Sequence, residues 1–468
     1  MANFSAMYLM RMKRIFVLCL CLLCVITSFG QNVSERLATA FNQFLSDAQL
    51  KQAMASLYVA DAASGAMVFA RNEQFGLAPA STQKVLTSVT AYSLLGRDFR
   101  YQTHFGLLTN GGSAQLFILP SGDPTLGSWR WPNNSEGAVL KRLAAAVGKT
   151  GTGKLGPLLI YNKGWGEEAI PNGWIWEDVG NYFGAGAFPL NWRENQYDLF
   201  LRSGNAIGTP ATIVGSEPKL YDLTINSRVS AAEKGSGDQT LIYLPVLSRE
   251  GVIRGTIPAG EQRFKVSGAM PNPVHQFAES LKAELGASVS PDAPALLLEE
   301  KGTQAGILHT EVSPSMDSIV YWLNQKSINL YAEALVKTMA QQGGKPAATE
   351  AGIDLIKQFW KTKGIAETEL NIQDGSGLSP QNRVTTKAQT TVLLYAKKQP
   401  WYQGLYQSLP TYNGMKMKSG TIGGVKGFTG YHTSKAGITY AFSFLVNNYN
   451  GTSSALVQKM YKVLDELK

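Results

Sequence analysis

Ala78-Pro79-Ala80-Ser81-Thr82-Gln83-Lys84 is the stretch on which the reading of this chain turns. Pro79 is suited to open a helix. Val85, Leu86, Val89, Tyr92 and Leu95 continue it at helical spacing, and Gly96 closes it. Ser81 therefore falls in a first turn, where backbone N–H groups lack acceptors and the helix dipole is positive. Lys84 follows three residues later on the same face, within reach of the serine hydroxyl. A lysine serves as a base only when burial or another cation depresses its pKa. The apolar helix supplies the burial, and Lys418 is the expected second cation.

Two further motifs follow in order, Ser327-Ile328-Asn329 and Lys418-Ser419-Gly420-Thr421. A hydroxyl at Ser327 is placed to pass a proton between Lys84 and a leaving amine, and the Asn329 carboxamide to hold both a lysine and a substrate amide. Lys418 adds positive potential, while the small Ser419-Gly420 pair lets a substrate backbone approach a strand edge. Ser419 and Thr421 offer hydroxyls to a carboxylate. The N–H groups of Ser81 and Thr421 are expected to hold an oxyanion. The candidate catalytic residues are thus Ser81, Lys84 and Ser327, and the candidate substrate-binding residues Asn329, Lys418, Ser419, Gly420 and Thr421. Together they describe acyl transfer without a histidine, a metal or a cofactor.

Short motifs also occur by chance, and two decoys are present. Ser216-Glu217-Pro218-Lys219 repeats the Ser-x-x-Lys spacing, but its proline argues against a shared helix face. Lys149-Thr150-Gly151-Thr152 precedes Ser327 and lies in a glycine-rich linker without strand pattern. The same linker resembles a phosphate-binding loop, yet Leu155 stands where a hydroxyl residue is required. The four histidines (His104, His275, His309, His432) are scattered and form no His-x-x-x-His pair.

Outward from the first motif, 34–45 reads as an amphipathic helix with Leu37, Ala40, Phe41 and Phe44 on one face. Strands at 55–60 and 66–70 flank the turn Ala63-Ser64-Gly65. Residues from about 100 to 315 carry short strand-like runs at 158–161, 241–245 and 264–266, separated by Gly, Pro and Asn. Trp129, Trp131, Trp165, Trp174, Trp176 and Trp192 crowd this region. They read first as packing residues and second as a saccharide- or peptide-binding face. Helices return at 319–341 and 348–363, strands at 415–421, 428–433 and 438–447, and a last helix at 454–467. The N-terminal hairpin and the three C-terminal strands are expected to complete one five-stranded sheet, with the middle of the chain inserted between its halves.

The chain has 468 residues, 44% hydrophobic and 16% charged, which suits two or three globular domains. Its first thirty residues read as a secretory leader: Arg11, Lys13 and Arg14, an apolar run over 15–25, then Thr27, Ser28 and Gly30. Eleven apolar residues are too few to span a bilayer comfortably. Cys19, Cys21 and Cys24 all lie in this leader, so the mature chain is expected to carry neither disulfides nor thiol chemistry. Leu23 before Cys24 argues against a lipid anchor. Without the three leader cations the net charge falls from +9 to +6. That suits an acidic wall polymer or peripheral contact with an anionic membrane. No basic run points to nucleic acid.

Taken in order, the three motifs resemble those of penicillin-binding proteins and serine β-lactamases. Ile328 and Ser419 depart from the commonest residues at their positions. Gly122-Asp123-Pro124-Thr125-Leu126, the run from Lys326 to Glu333, and the runs Asp374 to Ser379 and Lys418 to Thr421 with Gly424, extend the likeness over nearly the whole mature chain. The 246-residue separation of Ser81 and Ser327 is similar to that of the class C low-molecular-mass penicillin-binding proteins, a D-alanyl-D-alanine carboxypeptidase/endopeptidase family. The resemblance implies an α/β (α+β) transpeptidase-like domain, an antiparallel five-stranded sheet flanked by helices and interrupted by two inserted β-rich domains. The implied division is 1–30 leader; 31–103 and 316–468 catalytic; 104–130 and 213–315 inserted domain II; 131–212 inserted domain III. It further implies an exported enzyme of the periplasm or cell envelope, with peptidoglycan peptides as substrates and β-lactams as inhibitors acylating Ser81. The competing readings are a β-lactamase or esterase on the same scaffold, and a non-catalytic wall-binding or antibiotic-sensing protein.

Overall fold

The computed structural model describes residues 32–110, 113–162, 164–286, 295–298 and 306–468. The leader and its cysteines lie outside the described residues. Helix α1 (Val33–Leu45) is capped by the Asn32 side chain, which accepts from the Ser34 N–H, and it buries Leu37, Phe41 and Phe44. The hairpin β1 (Met54–Asp61) and β2 (Met67–Arg71) turns where Asp61 Oδ1 accepts from the N–H groups of Ala63 and Ser64. A 3₁₀ turn, Ala80–Thr82, leads into α2 (Gln83–Leu95).

The insert begins with β3 (Gln102–Asn110), β4 (Ser113–Leu119), α3 (Glu136–Gly148), β5 (Leu158–Tyr161) and the one-turn α4 (Trp176–Val179). It continues through β6 (Gln196–Arg202), β7 (Pro210–Glu217), β8 (Thr224–Ala232), β9 (Gln239–Tyr243), β10 (Glu250–Pro258) and β11 (Phe264–Ala269). It closes with α5 (Pro273–Leu285), β12 (Ala295–Leu298) and β13 (Gly306–Val312). The chain then forms α6 (Met316–Lys326), α7 (Asn329–Gln342), α8 (Thr349–Lys361), the short pair β14 (Leu370–Asn371) and β15 (Arg383–Val384), α9 (Thr386–Lys397) and α10 (Tyr402–Ser408). Last come β16 (Thr411–Tyr412), β17 (Met415–Ile422), β18 (Val425–Thr433), β19 (Thr439–Asn447) and α11 (Ser453–Leu464).

The two ends of the chain build one antiparallel sheet, ordered β16-β17-β18-β19-β1-β2. It has six strands rather than the expected five, because two-residue β16 joins the outer edge of β17. Strand β19 is buried on both faces. Phe442, Phe444 and Val446 pack toward α1 and α11, while Ala441 joins the core formed with α2, α7 and α9. Helices thus cover both sides, and β-strands so enclosed need not alternate polar with apolar residues.

The insert holds two further sheets, ordered β12-β5-β4-β3-β13 and β11-β6-β7-β8-β10-β9. Helices α3 and α5 pack their apolar faces (Val139, Leu143, Phe277, Leu281) on the first, so this part is not purely β. The expected boundary at 130/131 runs between β4 and β5, which pair in parallel, and that at 212/213 falls inside β7. On these pairings we propose a different division: strands 102–161 with 273–312, and strands 196–269. One helix also departs from expectation. The predicted run over 319–341 breaks at Ser327, which takes the left-handed conformation (φ 57, ψ 40) between α6 and α7.

Candidate active site

Ser81 sits in the 3₁₀ turn that opens α2, and Lys84 is one turn further on and fully buried. Lys84 Nζ lies 2.9 Å from Ser81 Oγ, 2.6 Å from Asn329 Oδ1 and 2.9 Å from the Ser376 carbonyl oxygen. Burial pushes this amine down to about 7, against the opposing pull of Asp374 and Glu333. An ammonium would donate to all three oxygens. A neutral amine donates to two and keeps a lone pair for the third. Because the Asn329 and Ser376 oxygens here can only accept, that lone pair faces the one partner able to donate, the Ser81 hydroxyl.

The break between α6 and α7 aims Ser327 at a different lysine from the one expected. Its Oγ accepts from Lys418 Nζ at 2.9 Å, and that amine also donates to the Ser419 carbonyl at 2.7 Å. Lys418 is buried, and burial first, then repulsion from Lys84 and Lys426, holds it well below the usual lysine range. Asn329, the first residue of α7, bridges the two halves of the pocket. Its Oδ1 meets Lys84, and its Nδ2 donates to the Phe183 carbonyl of the insert at 2.6 Å.

Strand β17 brings the third motif alongside. Residues Ile422 and Val425 close the hairpin around Gly423-Gly424. In such a two-residue hairpin the closing pair is hydrogen-bonded, and alternation then turns the N–H groups of Thr421, Ser419 and Met417 to the outer edge. Met417 fits this, donating to the Pro410 carbonyl at 2.9 Å. Strand β16 pairs only with Met415 and Lys416, which leaves the edge beyond Lys418 open to an extended chain. Gly420 is where this strand meets the nucleophile turn. A Cβ there would stand 2.6 Å from the Pro79 carbonyl oxygen and 2.9 Å from the nitrogens of Ser81 and Thr82. Thr421 is exposed, and its hydroxyl accepts from Lys426 Nζ at 2.8 Å.

A pair of buried carboxylates supports the pocket. Glu333 accepts from the N–H groups of Gly375 (3.0 Å) and Ser376 (2.8 Å), and so fixes the carbonyl that Lys84 uses. Burial and the neighbouring Asp374 push Glu333 up to about 7. Asp374 accepts from Gly377, Ser379, Asn382, Gln83 and Trp174, tying α2 to the insert. Sequence reasoning saw both residues only inside familial runs. Their helical and loop contexts carry no local sign of a contact between α7 and 374–377. The Phe183 carbonyl was missed altogether, since a backbone group has no sequence signal.

A cleft of about 720 Å³ opens over this junction, lined by Ser81, Ser327, Asn329, Thr421 and, from the insert, Ile175 and Asp178. Burial and Glu177 push the Asp178 carboxyl up to about 6. The tryptophans do not share one face. Trp192 is buried against Phe277, Trp131 stacks near Tyr331, and Trp174 donates to Asp374, while Trp129 and Trp176 are exposed. Lys149-Thr150-Gly151-Thr152 forms the turn after α3, and Ser216 lies in β7.

The sequence profile of the D-Ala-D-Ala carboxypeptidase 3 (S13) family matches residues 37–467. The chain is 26% identical over 464 residues to the D-alanyl-D-alanine carboxypeptidase of Actinomadura sp. (strain R39), covering 92% of this chain and 84% of that one. It is also 26% identical over 399 residues to D-alanyl-D-alanine carboxypeptidase DacB of Haemophilus influenzae, covering 79% and 80%. The crystal structure of penicillin binding protein 4 (dacB) from Haemophilus influenzae shares the fold, with a TM-score of 0.77 at 22% identity over 92% of this chain and 98% of that one.

Proposed function

The chain belongs to the D-Ala-D-Ala carboxypeptidase 3 (S13) family, and on that premise we propose how it works as a serine-type D-alanyl-D-alanine carboxypeptidase of peptidoglycan stem peptides. The observation that carries the reading is the orientation of Lys84, whose two carbonyl partners leave its lone pair for Ser81. Ser81 Oγ attacks the carbonyl of the penultimate D-alanine and its proton passes to Lys84 Nζ. The N–H groups of Ser81 and Thr421 hold the oxyanion. The proton taken by Lys84 passes through the Ser327 hydroxyl, positioned by Lys418, to the amine of the terminal D-alanine as its C–N bond breaks, which leaves Lys84 neutral again. Water then releases the acyl group. The substrate backbone lies along the open edge of β17, with Asn329 on its amide and Ser419 and Thr421 near its terminal carboxylate.

A penicillin acylates the same serine. On this reading its adduct is long-lived, whereas a β-lactamase or esterase would clear it quickly. A wall-binding or sensing protein without activity would have no use for the buried base beside Ser81. Action on cross-links as an endopeptidase uses the same chemistry with a longer leaving strand. We further place the enzyme in the periplasm or envelope, where its polymer substrate lies. No described helix is long and apolar enough to cross a membrane.

Purified muropeptides, incubated with the protein and read by mass spectrometry, test this. Loss of one alanine marks carboxypeptidase action, and conversion of cross-linked dimers to monomers marks endopeptidase action. Hydrolysis that survived Ser81→Ala would refute the serine mechanism.

A further inference from the structure

One segment of the insert belongs to two surfaces at once. Ile175 and Asp178 line the catalytic cleft, while Trp176, between them in sequence, lines a separate shallow groove of about 560 Å³. The segment is anchored at its C-terminal end. Asn181 Oδ1 accepts from the Ile242 N–H of β9 at 3.0 Å, and the Gly180 carbonyl accepts from the Ala269 N–H at 3.0 Å. Two residues further on, the Phe183 carbonyl holds the Asn329 side chain. The groove is therefore tied to the pocket of the reacting serine by a short series of hydrogen bonds.

Its floor is the solvent face of three strands. Register sets Asn226 of β8 opposite Val252 of β10, and Val252 opposite Tyr243 of β9, so the three form one row. Glu250 and Arg254 flank Val252 on the same face. Trp176, 53% exposed, overhangs Tyr243 with ring centroids 6.2 Å apart, and the Arg254 guanidinium lies 5.3 Å from the Tyr243 ring. Aromatic faces bordered by an amide, a carboxylate and a guanidinium fit a sugar ring, whose C–H face packs on the aromatics while its hydroxyl and acetamido groups meet the polar side chains. The charges are mixed, so no one-signed field favours a polyanion, and the apolar area is too narrow for an amphipathic helix.

We propose that this groove binds the β-linked amino-sugar strand to which the wall peptide in the cleft is attached. The proposal rests on the peptidase reading above. The few residues between scissile bond and sugar span on the order of 10 Å when extended. Asp178 of the cleft and Trp176 of the groove are only two residues apart, a separation well inside such a reach. A sugar tethered to a bound peptide meets the groove at high effective concentration, so even a shallow contact raises specificity.

The test compares D-alanine release from a pentapeptide ending in D-Ala-D-Ala with release from the same peptide carrying its disaccharide. The wild-type kcat/KM is expected to be about tenfold higher for the disaccharide form, and Trp176→Ala or Tyr243→Ala to bring that ratio near one. Penicillin labelling of Ser81 certifies the fold of each variant. Arg254→Ala, on the exposed face, provides a third with least risk to folding. Equal rates for the two substrates in the wild type, or an undiminished ratio in all three variants, overturn the groove's assignment. No alanine from either substrate would overturn the peptidase reading instead. Titration of the Ser81→Ala protein with a tetramer of β-linked N-acetylglucosamine then still decides the groove: heat of binding lost in Trp176→Ala upholds it, and no binding removes it.

Discussion

The charge on Lys84 is the quantity on which catalysis turns, and pH controls it. A lysine at its ordinary 10.5 would be neutral at pH 7 in about one molecule in three thousand, whereas at about 7 half the molecules hold a competent base. Burial therefore multiplies the reactive fraction about 1,500-fold. The second-order rate constant for acylation of Ser81 by a fluorescent penicillin should rise about tenfold per unit below pH 7 and level off above it. At about pH 5.5 the rate should be some thirtyfold under the plateau. The groups facing Lys84 are Glu333 on α7, Asp374 on the loop between β14 and β15, and Lys418 on β17. Since Glu333 titrates in the same range, the midpoint belongs to the coupled set. The two carboxylates raise the Lys84 pKa, so Glu333→Gln should move the acid limb to lower pH. A profile flat from about pH 5.5 to 9, or one still climbing at 9, would refute a neutral-amine base.

Other substitutions probe the neighbouring contacts. Gly420→Ala puts a methyl group against the Pro79 carbonyl and the Ser81 N–H, and should slow acylation on the order of a hundredfold in stopped-flow measurements. Ser327→Gly suits the left-handed backbone at that residue, so thermal unfolding should show no loss of stability while acylation falls about a hundredfold or more. Asp374→Ala strands several buried donors and should cost about 3 kcal/mol or more in urea unfolding. The buried amines of Lys84, Lys337 and Lys418 all lie below the ordinary lysine pKa, so the unfolded chain binds more protons than the native one between about pH 8 and 10. Stability should therefore rise with pH across that window, and less steeply in Lys337→Met.

What the sequence disclosed was mostly local. The helix after Pro79, the hairpin at Asp61 and the three C-terminal strands follow from periodicity and turn residues close in the chain. Ser81, Lys84, Asn329 and Lys418 were legible because their spacing is itself chemical. The break at Ser327 was not, since apolar residues keep helical rhythm through Ile319, Leu323 and Leu330 and neither glycine nor proline marks the change of direction. Strand β16 is too short to show a pattern. The layout of the insert was hidden for another reason: β5 pairs with β12, more than a hundred residues away, and nothing in either run names its partner. Trp176 and Tyr243 could be noticed as aromatics, but only the packing of α4 against β9 shows that they meet.

Strand β1 lies between β2 and β19, so its inner neighbour is made almost four hundred residues after it. A nascent chain cannot close the nucleophile turn against β17 until its last few dozen residues exist. Premature termination anywhere upstream leaves an inert product rather than an unregulated hydrolase. The same wiring makes folding a late and wide loop closure, slow by topology.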